Sequence, residues 1–128
     1  MPYNWNNYLS LAEELHNSDL MQSDCEAIKR TVISRSYYAA YHHARINAEK
    51  TGYEYNNKKR GSTHDQVREW INAYEPNYAN LLGKLYELRV DADYYDYEEM
   101  EGNPYRFAEQ ALTYAKEIIT QLHLSSPE

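Results

Sequence analysis

The chain reads as an all-α, up-and-down bundle of four to five helices, and three observations predict it. Glycine and proline are scarce, four of each, and fall where helices would end. Apolar residues recur at helical spacing through most of the sequence. No internal repeat, low-complexity linker or domain boundary divides the 128 residues, so residues 1–128 form one domain with one modest core.

Each element has its own signals. The first helix is expected from about Trp5 to Ser18, with Tyr8, Leu11, Ala12 and Leu15 on one face. "NSDLMQSD" is a connector, and Ser23 or Asp24 suits the next N-cap. The second helix is long, from about Cys25 to Lys50, and stops at Gly52. After the polar loop "TGYEYNNKKRGST", Thr63 caps a third helix over His64 to Tyr74, which ends before Pro76. A fourth covers Tyr78 to Asp93 and leads into the acidic, tyrosine-rich loop "YYDYEEMEG". Asn103 caps the last helix, Pro104 takes its first position, and it runs to about Leu122. Short connections between such helices make antiparallel neighbours.

Composition narrows the function classes. No apolar run approaches the roughly 20 residues that span a bilayer, so no membrane partner is expected. The opening "MPYNWNNYLSLAEEL" lacks the marks of a secretory signal. One cysteine, Cys25, allows no internal disulfide or cysteine-based zinc cluster, and a reducing cytoplasm is the natural setting. The net charge of −7 argues against a general nucleic-acid coat protein. Yet between Lys29 and Arg68 nine Lys or Arg face three acids, a local surplus of +6. That block reads either as ordinary solvated charge or as a local anion-binding surface on an acidic protein.

The second helix holds the pattern of most interest, "RSYYAAYHHAR" at residues 35–45. Taking Ile33 as the origin and about 100° per residue, Tyr37, Ala40, Tyr41, Ala44 and Ala48 fall in a stripe under about 110° wide that faces the core. Arg35 and His42 are two turns apart, aligned within about 20° of each other, and nearly opposite that stripe. Ile28, Val32, Ala39 and Ile46 accompany them. A helix apolar on two sides is buried on two sides. The second side is expected to meet another copy of the chain in a two-fold dimer; the competing reading is a monomer whose other helices wrap this one completely.

Arg35 and His42 form a minimal kit for cutting RNA without a metal. Imidazole gives and takes protons near neutrality, and guanidinium clamps phosphate oxygens through paired hydrogen bonds. The histidine would move the proton of the ribose 2′-hydroxyl or of the leaving 5′-oxygen, and the arginine would stabilise charge on the phosphate. A dimer would supply two such pairs. Arg and His at this spacing also arise by chance in many helices.

The stretch "ISRSYYAAYHHARINAEKTG" resembles the signature helix of the HEPN family, small all-α proteins that often read R-S-Y-Y-A-A-F-H-A-A here. The match covers Arg35, Ser36, Tyr37, Tyr38, Ala39, Ala40 and His42, with Tyr41 for the aromatic and His43 for an alanine. "LYELRVDADYYD" resembles the family's second landmark at Arg89, Ala92, Asp93 and Tyr94, and "THDQVREWI" resembles the histidine-led helix between them. The resemblance implies a HEPN-like bundle that dimerises through the long second helix. It also implies a metal-independent endoribonuclease with its cleft at the dimer interface, acting as a toxin or phage-defence effector. Arg35 and His42, with six residues between them, fit the family's Arg-to-His spacing. Some members instead pair with a small nucleotidyltransferase that neutralises them by modifying a tyrosine two residues after the histidine. Position 44 is alanine, so that site does not carry over. The alternative function is a non-catalytic HEPN subunit that binds nucleotide or substrate and partners a nucleotidyltransferase.

The remaining candidates take supporting roles. Ser36 and Tyr38 are expected to position substrate or hold the interface, and Asp93 to end its helix and pair with Arg89 one turn away. Arg45, with Lys58, Lys59 and Arg60 of "NNKKRG", is the RNA-contacting set, although that loop suits a purely solvated role equally well. His16, His43, His64 and His123 form no metal-binding motif, and no metal or cofactor is expected. They read as surface or capping residues.

Overall fold

A computed structural model describes residues 3–19, 26–94 and 104–125. Its elements are α1 (Asn6–His16), α2 (Glu26–Lys50), α3 (Thr63–Asn72), α4 (Pro76–Tyr94) and α5 (Pro104–Ser125). No strand occurs among the described residues. The expected cap at Ser23 or Asp24, Cys25, the acidic loop after Tyr94, the Asn103 cap and the side chain of His123 lie outside them.

Helix ends follow from local chemistry. The stop of α2 is a Schellman turn: Tyr53 N donates to Ala48 O (3.0 Å) and Gly52 N to Glu49 O (3.2 Å). This needs a left-handed residue, and Gly52 supplies it at φ 107°. Ser62, rather than Thr63, caps α3. Its hydroxyl accepts from Asp65 N while the Asp65 carboxylate accepts from Ser62 N, a reciprocal capping box. Pro76 opens α4 two residues before the expected start, because a missing N–H costs nothing in a helix's first turn.

The long α2 is the hub, packing against α1, α3, α4 and α5, and most extensively against α5. The reason is side-chain size. Ala40, Ala44 and Ala48 of α2, and Ala108, Ala111 and Ala115 of α5, are fully buried and let the helices approach closely. Ile33, Leu85, Ile118 and Leu122 fill the remaining volume. In α1 the packed side centres on Ala12, with Leu9 and Leu15 against the core. Leu11, expected on that side, is 42% exposed.

The structure corrects the expected second face of α2. Val32 and Ala39 are 0% and 1% exposed within the single chain, in a helix against which α1 packs. On that second side Val32 and Ala39 are thus covered by the chain's own bundle. Only Ile28 and Ile46 of that set stay half-buried, and Ile28 packs on the core.

Candidate functional site

Arg35 and His42 do not point into open solvent. The start of α1 carries an aromatic strip over them. Trp5 meets Tyr3 edge-on at 4.8 Å and Tyr8 at 5.1 Å. The Trp5 indole stacks on the His42 imidazole, 3.5 Å between ring centres and 15° from parallel. The Arg35 guanidinium sits over Tyr8, 5.0 Å from its ring centre. Both predicted residues are thus half-buried under one continuous aromatic edge. Among the described residues no carboxylate pairs with Arg35.

Burial pushes the His42 pKa down to about 4, and the nearby Arg45 and His64 add to the effect. The ring is therefore neutral at pH 7. Arg45 Nε donates to His42 Nδ1 (3.3 Å), which places the ring proton on Nε2. Arg45 also pairs with Glu49 at 2.7 Å. Of the predicted RNA-contacting set, Arg45 therefore belongs to this site. Lys58, Lys59 and Arg60 are exposed, and Lys59 pairs with Glu69 of α3 (3.7 Å). No described hydrogen bond or ion pair joins that loop to the Arg35–His42 face. Its shape is held by Gln66, whose amide donates to Asn56 O (2.8 Å) and accepts from Asn56 N (3.0 Å).

The supporting residues divide. Tyr38 lies beside the site, and its phenol oxygen accepts from Arg89 Nη2 at 2.7 Å. Asp93 pairs with Arg89 as its one-turn spacing predicts, Nε to Oδ2 2.9 Å, in an ion pair too poorly aligned to be a hydrogen bond. Ser36 is 0% exposed, and its hydroxyl has no partner among the described residues, so it packs the interior rather than facing a ligand.

His64 is the residue that sequence reasoning missed. At the start of α3 it comes across to α2, where its ring stacks on Tyr41 (4.2 Å) and its Nδ1 lies 2.5 Å from the buried Tyr37 hydroxyl. Tyr86 of α4 closes the other side at 6.0 Å. Burial lowers its pKa, Arg89 lowers it further, and Asp65 works in the opposite direction. A recess of about 540 Å³ between α3 and α4 is a separate feature. Its wall mixes Arg68 and Lys84 with Asp65, Glu69 and Glu87, two positive groups against three negative.

The two depressed imidazoles make stability pH-dependent. Unfolded, each histidine takes a proton near its ordinary 6.5, whereas folded His42 waits until about 4. Between those values the unfolded chain binds more protons, so stability falls as pH drops through this window. Because both rings are partly solvated, the loss is expected to be on the order of 1–2 kcal/mol rather than the full linkage value. Urea titrations at pH 7.5 and pH 4.5 measure it, and His42→Ala should shrink the difference.

Compared with family models, with curated proteins and with solved structures, the chain finds no match in any of the three. Among the described residues no helix is long and apolar enough to cross a membrane, and no group of three or more His, Cys, Asp or Glu is placed to hold a metal ion.

Proposed function

We propose that the chain is a metal-independent endoribonuclease of the HEPN type, a toxin or phage-defence effector, with Arg35 and His42 as its working pair. The observation that carries this reading is the pairing of a guanidinium free of any described carboxylate with a neutral imidazole beneath one aromatic edge. An unneutralised arginine draws a phosphodiester. Arg45 can turn from His42 Nδ1 to the same phosphate, and the arriving negative charge raises the imidazole's affinity for a proton. Substrate thus creates the base it needs. The decisive experiment incubates purified protein with single-stranded RNA in EDTA. Products should carry a 2′,3′-cyclic phosphate and a 5′-hydroxyl, and DNA, lacking the 2′-hydroxyl, should resist.

One observation favours the second reading, a non-catalytic subunit that partners a nucleotidyltransferase. As the chain stands, Arg45 occupies Nδ1 and Trp5 covers the ring, so His42 is a binding surface before it is a base. RNA retained on the protein but never cut would select it.

A homodimer belongs to the same proposal and rests on the HEPN resemblance. Its contact avoids Val32 and Ala39, which are internal, and half-buried Ile46, one turn beyond His42, is the apolar residue left on that side. Light scattering at tens of micromolar, above the roughly micromolar affinity of weak assemblies, should show a dimer. A monomer there removes this part of the proposal.

A further inference from the structure

The geometry points to His64 as the second acid–base group of the site, supplied by the same chain, with the buried Tyr37 hydroxyl fixing its orientation. This rests on the ribonuclease reading above. His42 and His64 both lie against Tyr41, their ring centres 5.0 Å and 4.2 Å from its own. Both also lie against Tyr38, at 6.2 Å and 6.3 Å. Tyr41 is 4% exposed and so forms the floor between them. Both imidazoles are half-buried rather than sealed. The arginines stand on the same ground: Arg45 touches His42, and Arg89 reaches Tyr38 from α4.

Cleavage through the ribose needs two proton transfers on opposite sides of the phosphorus, and one imidazole cannot face both at once. A dimer is one way to obtain the second group, but this arrangement provides it within one chain. The groups facing His64 are Tyr37, Tyr38 and Tyr41 from α2, Tyr86 and Arg89 from α4, and its own neighbour Asp65. Those near His42 are Arg45, Tyr38, Tyr41 and His64, with no carboxylate among its charged neighbours. With His42 already the base of the proposed function, His64 takes the acid role, and the negative charge of the bound phosphate supplies the proton affinity that burial and Arg89 take from it. His42 takes the 2′-hydroxyl proton as the 2′-oxygen bonds to phosphorus. The phosphorus–O5′ bond breaks, and protonated His64 delivers its proton to the leaving O5′. The cyclic phosphate and the 5′-hydroxyl depart, and water returns both rings to their starting states.

The test uses two RNA substrates, one natural and one with sulfur in place of the leaving 5′-oxygen. A thiolate leaves without a proton, so the second substrate does not need an acid. His64→Ala, and His64→Gln, which keeps a polar partner for Tyr37, should cut natural RNA on the order of 100-fold more slowly. Both should cut the sulfur substrate at close to the wild-type rate, whereas His42→Ala stays slow on both. Equal slowing of the His64 variants on both substrates, or none on natural RNA, overturns the assignment and leaves the ribonuclease reading standing. Wild-type protein that cuts neither substrate removes that reading, and this one with it.

Discussion

His42→Ala is expected to slow RNA cleavage on the order of 100-fold or more, the scale for losing a general acid or base. Arg35→Ala should cost a similar factor by a different route, the loss of a fixed positive charge on the phosphate as charge builds there. Neither change should unfold the chain. His42→Ala removes the ring on which Trp5 rests, and such aromatic pairs contribute about 0.5–1.5 kcal/mol beyond the area they bury. Arg35 gives up a cation–π contact with Tyr8, worth about 0.5–1 kcal/mol at a partly exposed position. Circular dichroism should therefore match wild type while the rates differ. A His42→Ala protein that cleaves as fast as wild type ends the enzymatic reading and leaves the nucleotidyltransferase-partner subunit as the account of the chain.

Local rules carried most of the fold. Glycine at the end of α2, proline at the start of α4 and alanines at helical spacing are each decided within a few residues, so they could be read from the sequence. Arg89 and Asp93 likewise pair as their one-turn spacing predicts. What could not be read is what lies across a helix. The wheel places Ala39 beside Arg35 and His42, and nothing in α2 says whether α1 or a second chain covers that side. His64 was hidden for the same reason. It lies 22 residues after His42, and only the path of α3 across α2 brings it to Tyr37 and Tyr41. The buried, partnerless Ser36 hydroxyl was equally invisible, since a serine next to Arg35 in the signature stretch reads as a group that faces substrate or interface.

Ala39→Glu separates the two ways of covering that side. If α1 lies where the structure places it, a carboxylate at a position 1% exposed has to be buried or has to lift α1 off. Arg35, one turn earlier, offers it a partial partner. The cost is therefore below that of an isolated buried charge, about 3 kcal/mol, which for a domain of this size lowers the melting temperature by about 10 °C. Ala27→Glu is the matched control. It adds the same charge to the same helix at an exposed position, where surface substitutions stay within about 0.5 kcal/mol. Thermal unfolding of the two proteins, alongside their mass by light scattering, gives the answer. A low melting temperature for Ala39→Glu alone places Ala39 inside the single chain. If Ala39→Glu instead keeps its melting temperature and only loses a partner subunit, the side of α2 that carries Arg35 and His42 is an interface between copies, and α1 does not cover it.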